Sequence, residues 1–174
     1  MKGYAGFWQR AGAFALDYII ILFYLGGITL LSLLVNSLFG VSEWLLADRV
    51  RVQLTGFLLL TLPTTLYFAV GEASGQQATW GKKRMGLRVT DYNGERVRFW
   101  RSLLRTALKF IPWELSHTLI WEIYFSQSAN SAWVNYGFVL VYVIIGLNLA
   151  SLILSKKHQT IYDFLARTCV TKPG

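Results

Sequence analysis

Two opposite charges stand near the start of the first apolar stretch. Arg10 and Asp17 are seven residues apart, and no further charged residue follows until Glu43. On an α-helix, seven residues make almost two turns, so both side chains point roughly the same way. A carboxylate inside a membrane-spanning helix is costly unless it is paired or hydrated. The rest of the chain is therefore expected to supply a partner or a water path for Asp17.

The composition indicates which elements position these charges. Of the 174 residues, 54% are hydrophobic and 15% are charged, whereas soluble domains carry about a quarter charged residues. Apolar stretches long enough to cross a bilayer predict an all-α integral membrane protein. The predicted helices cover about residues 10–36, 52–71, 103–125 and 133–155. Pro63 is expected to kink the second helix, and Pro112 is expected to bend the chain near the start of the third.

The number of spans has two interpretations. The third helix carries Glu114, His117 and Glu122 and is a poor spanning helix by hydropathy. Lys156 and Lys157 follow the last apolar stretch, and basic residues prefer the cytoplasmic side. Four spans satisfy this preference and place both termini in the cytoplasm. Three spans, with the basic tail outside, are the alternative.

The polar section between the second and third helices, residues 72–109, is strongly basic. It has nine basic residues against the acids Glu72, Asp91 and Glu95, which predicts a cytoplasmic location. The basic residues are Lys82, Lys83, Arg84, Arg88, Arg96, Arg98, Arg101, Arg105 and Lys109.

A small cytoplasmic β-hairpin is predicted over about residues 86–99. Apolar and polar residues alternate on either side of Asn93-Gly94, a pair typical of a turn with positive φ at both central positions. Leu87 and Val89 on one strand should share a face with Val97 and Phe99 on the other.

Basic residues then recur at intervals of three and four at the start of the third helix. This pattern indicates an amphipathic helix whose basic stripe faces anionic lipid headgroups. A solvated face of a helix packed on the bundle is the alternative. The stripe consists of Arg98, Arg101, Arg105 and Lys109.

Three segments resemble the RDD family of bacterial membrane proteins. They are A-G-F-W-Q-R followed by Asp17, T-W-G-K-K-R-M-G-L-R-V-T-D at residues 79–91, and H-Q-T-I-Y-D-F-L-A-R-T-C-V at residues 158–170. The resemblance implies a single membrane domain over residues 1–174, and the arginine and two aspartates of the family name map to Arg10, Asp17 and Asp163. Arg167 departs from the family pattern, which has a small residue there. The positions of the second segment that match the family motif are Thr79, Gly81, Lys82, Arg84, Gly86 and Arg88.

Two functions are compatible with these features. In the first, Asp17 and Asp163 bind a small cation or a proton, with Arg10 tuning their pKa; the resemblance adds sodium/proton antiport, attributed to some family members. Alternatively, these three residues form a structural cluster, and the protein is a non-transporting accessory or scaffold that binds lipid headgroups or a protein partner through its basic segment. Either protein would lie in the bacterial inner membrane, as a homo-oligomer or as an accessory to another membrane protein.

Other classes of function are not expected. The net charge is +8, and the basic residues cluster between apolar stretches. This distribution indicates basic cytoplasmic loops rather than nucleic-acid binding. Glu114 and His117 form a single i, i+3 pair with no matching second motif, so no metal site is predicted. The sequence shows no recognisable Ser-His-Asp or Cys-His arrangement. We therefore expect neither an enzyme nor a bound cofactor.

Overall fold

The computed structural model describes residues 3–127 and 131–172 of the chain, and these are mostly helical. The long helices are α1 (Phe7–Phe39), α6 (Phe99–Ser126) and α7 (Ala132–Leu154). The second predicted helix consists of α3 (Arg49–Gly56), a π-helical turn (Phe57–Thr61) and α4 (Leu62–Ala73). The short elements are α2 (Val41–Leu46), α5 (Trp80–Arg84) and α8 (Ile161–Leu165), with strands β1 (Gly3–Tyr4), β2 (Arg88–Asp91) and β3 (Thr168–Lys172).

Three of these helical segments are long and apolar enough to cross a membrane. They are Phe7–Phe39, Arg49–Ala73 and Ala132–Leu154. The first segment has mean hydropathy 2.4 and exposes large apolar side chains such as Phe23 and Leu30, as expected where lipid surrounds a helix. These observations establish three candidate spans.

The second span is irregular at Pro63. Proline has no N–H for the carbonyl four residues earlier, which here belongs to Leu59. The Tyr24 hydroxyl of α1 donates to that carbonyl oxygen at 2.7 Å. The π-helical turn lies just before Pro63, and the freed acceptor is satisfied from the neighbouring helix, as a membrane interior requires.

Helix α6, the third helix predicted from the sequence, is polar on the side that packs against the second span. Its Glu114 accepts hydrogen bonds from Gln53 Nε2 at 2.7 Å and from Thr61 Oγ1 at 2.6 Å. Closer to its C-terminus, Glu122 forms an ion pair with Arg49. The helix continues through Pro112. Both acids of α6 therefore have partners on the second span.

The three strands form one antiparallel sheet in the order β1–β3–β2. Strand β3 pairs with both others, and Val89 lies opposite Val170. The sheet joins the segment before α1, the connection between α4 and α6, and the segment after α7. We call the end of the bundle that carries the sheet the polar end. The sequence did not predict the two terminal strands.

The predicted hairpin is present in a reduced form. Its second arm contributes one bridge, between Thr90 and Arg96, because the main partner of β2 is β3. Gly94 has φ +85°, whereas Asn93 does not have positive φ, so the predicted turn type is wrong. Asp91 instead stabilises the turn, since its Oδ1 accepts from the backbone N–H groups of Asn93 and Glu95.

A small apolar core lies beneath this sheet. The predicted shared face is confirmed for Leu87, Val89 and Val97, which are buried in one cluster. Phe99 is not part of this cluster, because α6 begins at that residue. The cluster also contains Ala5, Ala13 and Val170. The sheet is thereby anchored to the first turns of α1.

Candidate functional site

Asp163 is held between two arginines at the polar end. It lies in α8, where Thr160 caps the helix and the two residues form a capping box. Its fully buried carboxylate accepts from Arg10 Nη1 at 2.5 Å and from Arg105 Nε at 2.7 Å. Arg10 also donates to the carbonyl oxygens of Ala5 and His158. The structure therefore unites Arg10 and Asp163, as the sequence predicted.

Arg105 extends this contact to a second buried carboxylate. Its Nη1 donates to both oxygens of Glu72, at 2.7 and 2.6 Å. Lys82 Nζ lies 2.9 Å from Glu72 Oε1. We call these five residues the charge network: Arg10, Asp163, Arg105, Glu72 and Lys82.

The network keeps Asp163 ionised. Burial raises the pKa of this carboxylate, but Arg105 and Arg10 outweigh burial and hold its pKa at about 2. Hydrogen bonds to the charged form act in the same direction. At neutral pH Asp163 is therefore an anion whose charge is already balanced.

Asp17 has a separate set of partners. It is fully buried, and its carboxylate accepts from Tyr67 Oη at 2.7 Å, from Thr79 Oγ1 at 2.6 Å and from the backbone N–H of Gly81 at 2.7 Å. All three donors are neutral. The predicted grouping of Asp17 with Arg10 and Asp163 is wrong, because the partners of Asp17 come from α4, through Tyr67, and from the start of α5, through Thr79 and Gly81.

The Thr79–Arg88 motif explains how α5 reaches Asp17. Thr79 caps α5 and bonds Asp17. A Cβ at Gly81 would lie 2.1 Å from the Ala13 carbonyl oxygen, so only glycine permits this approach. The next residue, Lys82, then reaches Glu72.

The remaining motif positions lie at the surface. Gly86 ends the α5 turn with φ +64°. Arg84 and Arg88 are exposed, and Arg84 lies over the Trp80 ring at 5.3 Å. These two arginines are available to groups outside the chain.

The basic stripe on α6 divides into two parts. Arg98 and Arg101 are exposed, which fits either interpretation of the stripe, but Arg105 is 2% exposed and bonded to carboxylates. The prediction that Arg105 faces lipid headgroups is therefore wrong. A charged side chain surrounded by lipid turns toward bundle partners, and Leu104 and Ile111 are exposed instead.

Lys109, the last residue of the stripe, lies in the bundle beside the network. Its Nζ lies 3.6 Å from the centre of the Phe68 ring and 4.6 Å from that of Phe14. Among residues 3–127 and 131–172, no carboxylate lies within ion-pair distance of this ammonium. A desolvated cation–π contact contributes about 2 kcal/mol, less than the cost of removing an ammonium from water.

Lys109 lines a cavity of about 560 Å³ between α1, α6 and α7. Arg10, Lys82 and Arg105 also reach this cavity, so four basic side chains surround its polar part. The network supplies two carboxylates against these four cations. The rest of the cavity wall is mostly apolar and includes Phe7, Phe14, Phe110, Trp113, Ile145 and Leu149.

Sequence reasoning missed Glu72 as part of the site. Glu72 comes directly after the charge-free residues 52–71. A lone acid beside a long apolar stretch is the same kind of signal that identified Asp17. A buried acid of this kind needs a cation, and the facing stripe on α6 offered Arg105. The two signals together could have predicted their contact.

The helices and their buried charges define the class of protein. Three apolar spans with ionised groups paired inside the bundle belong to a polytopic membrane protein. The chain is a member of the RDD family, whose sequence profile matches residues 4–167.

Relatives add little about activity. The uncharacterized protein YxaI of Bacillus subtilis is 32% identical over 105 residues, which cover 56% of this chain and 70% of YxaI. No solved structure matches the chain. The function has to be argued from the geometry of the site.

Proposed function

We propose that the protein is a non-enzymatic, non-transporting membrane component that binds anionic lipid headgroups at its polar end. The balance of charge carries this proposal. Four basic side chains around the cavity face the two carboxylates of the network, and these carboxylates already have cationic partners. Such an arrangement attracts an anion and repels a further cation.

Surface charge supports the same proposal. Arg98 and Arg101 are exposed at the start of α6, and Arg84 and Arg88 are exposed nearby in the chain. Each basic residue close to an anionic membrane surface contributes about 1 kcal/mol of attraction. The polar end would therefore hold anionic lipids around the protein.

We propose four spans with the polar end and both termini on the cytoplasmic side of the bacterial inner membrane. Pairing of β1 with β3 supports an even number of crossings, because these strands lie before α1 and after α7. With three apolar spans, α6 must supply the fourth crossing. The basic residues of the polar end favour the cytoplasm.

Lipid enrichment tests this function. The full chain is reconstituted in nanodiscs containing phosphatidylglycerol and phosphatidylcholine, and the retained lipids are quantified after purification. We expect phosphatidylglycerol to be enriched, and we expect Arg98→Gln with Arg101→Gln to reduce the enrichment. Lipids retained in the ratio supplied would contradict the proposal.

Cation–proton exchange is the second candidate function. Glu114 favours it, because its hydrogen-bond donors, Gln53 and Thr61, are neutral. A π-helical turn, a feature frequent at functional sites, ends at Thr61. An intramembrane carboxylate of this kind is a candidate for proton or cation binding.

Flux measurements separate the two candidates. Sodium- and pH-driven proton flux is measured in proteoliposomes for the wild type, Asp17→Asn, Asp163→Asn and Glu114→Gln. Exchange at a site formed by Asp17 and Asp163 would be lost in the two aspartate variants. Exchange at Glu114 would be lost in Glu114→Gln while both aspartate variants, where folded, kept it. No flux in the wild type would leave headgroup binding as the function.

A further inference from the structure

We propose that the cavity between α1, α6 and α7 binds one anionic phospholipid, with its phosphate on Lys109 and an acyl chain along the apolar wall. The proposal rests on the headgroup-binding function and adds a defined site and stoichiometry to it. It commits to a phospholipid whose headgroup carries a hydroxyl group.

The cavity has the polarity gradient of a lipid. Along α6 its lining runs from Arg105 and Lys109 to Trp113 and Ser116. Arg105 and Ser116 are eleven positions apart on the helix, which corresponds to about 16 Å along its axis. The charged part adjoins the sheet and α8, and the apolar part extends toward the middle of the bundle. A phosphate and an acyl chain match these two parts in order.

Two apolar residues of the cavity wall are also exposed on the surface of the bundle. Ile145 and Leu149 of α7 line it, and each is 42% exposed. A lipid acyl chain could therefore enter sideways from the bilayer. Its volume of about 560 Å³ lies within the range of ordinary ligand pockets.

Lys109 is the residue suited to the phosphate. Arg10, Arg105 and Lys82 already have carboxylate partners. The Lys109 ammonium lies close to aromatic rings, and among the described residues it forms no ion pair within 4.0 Å. A phosphate would supply the missing counter-charge, and charge-assisted hydrogen bonds to it are strong.

Asn148 suggests the hydroxyl group. Its side chain lines the same cavity, and its Nδ2 donates to the Ile144 carbonyl oxygen. Its Oδ1 is buried and has no hydrogen-bond partner in the described part of the chain. A buried acceptor of this kind needs a donor, which a headgroup hydroxyl provides and a phosphate oxygen does not.

Native mass spectrometry of the delipidated full chain with added phosphatidylglycerol tests the site. We expect one tightly bound phosphatidylglycerol per chain and no comparable binding of phosphatidylcholine. Lys109→Met should raise the apparent Kd at least about tenfold, an ion-pair energy of about 1.4 kcal/mol or more. Arg49→Met, which removes a 44% exposed basic side chain beside the C-terminal part of α6, should leave this Kd unchanged. Asn148→Leu should lower the preference for phosphatidylglycerol over phosphatidic acid.

Several results would overturn the cavity site. Binding of phosphatidylglycerol to Lys109→Met as tight as to the wild type would refute the role of Lys109. Displacement of the lipid by inorganic phosphate would show that the apolar wall does not contribute to binding. If nanodisc enrichment persisted while Lys109→Met had no effect on the single bound lipid, headgroup binding would stand and the cavity site would fall.

A measurement on the wild type covers the case in which Lys109→Met does not fold. Phosphatidylglycerol with a photoreactive diazirine in its acyl chain should label the α6 and α7 residues of the cavity wall, such as Trp113 and Leu149. Labelling confined to lipid-exposed positions such as Phe23, which is 80% exposed, would refute the proposal.

Discussion

Replacing Arg105 by methionine should cost about 3–5 kcal/mol of unfolding free energy. Arg105 is 2% exposed and donates three hydrogen bonds to two fully buried carboxylates, Asp163 and Glu72. Methionine keeps much of the length but none of the charge. Breaking a buried ion pair leaves an uncompensated charge, and losses of that size are typical.

Arg101 provides a matched control on the same helix. Its side chain is 44% exposed and lies 4.0 Å from Asp91. Exposed pairs of this kind contribute about 0–1 kcal/mol. Arg101→Met should therefore change the unfolding free energy by less than about 1 kcal/mol, although it removes the same charge.

The assay is reversible unfolding in mixed dodecylmaltoside and sodium dodecyl sulfate micelles, followed by tryptophan fluorescence. A double-mutant cycle adds Asp163→Asn. The double variant should lose less unfolding free energy than the two single variants together, because the second substitution leaves no new unpaired charge. A loss below about 1 kcal/mol for Arg105→Met, or additive losses in the cycle, would refute the account of the charge network.

Three further predictions concern stability in the same assay. In the folded protein the pKa of Asp163 is about 2, below its ordinary value of 3.8. Its contribution of about 2 kcal/mol to the unfolding free energy is therefore complete above pH 4 and is lost as the pH falls toward 2. Asp163→Asn should make the loss of stability less steep over this pH range, and an unchanged pH profile would contradict this. Gly81→Ala should cost about 1–3 kcal/mol, since its Cβ meets the Ala13 carbonyl oxygen, whereas Gly75→Ala meets nothing within 4 Å and should cost less. Arg167 has φ +52°, a conformation that glycine adopts without strain, so Arg167→Gly should raise the unfolding free energy by about 1 kcal/mol. Arg167→Ala keeps a Cβ, and a similar increase in that variant would show that backbone strain is not the cause.

The helices could be predicted because their signal is local. Apolar stretches indicated α1, α7 and the second span within a few residues of their observed bounds. Alternation around Asn93-Gly94 likewise indicated the turn and the buried face of Leu87, Val89 and Val97. The family resemblance identified Arg167 as a departure from a small residue, and the structure shows that Arg167 has positive φ.

Long-range pairing could not be predicted in the same way. Arg10 and Asp163 are 153 residues apart, and only the family resemblance suggested that they belong together. Periodicity identified the stripe on α6 but not its orientation. In water a charged stripe faces outward, whereas among lipids its buried members turn toward partners in the bundle. The choice depended on the acids that face α6, above all Glu72.

The same geometry separates structural charges from a charge available for function. The network links α1 through Arg10, α4 through Glu72, α5 through Lys82, α6 through Arg105 and α8 through Asp163. Each of these charges has an opposite partner, so together they fix the elements of the polar end. Lys109 is adjacent, has no such partner in the described residues and lines the cavity. Since a bound anion would complete its charge balance without disturbing the network, selectivity for a ligand can reside at Lys109 while the family's Arg10 and Asp163 maintain the fold around it.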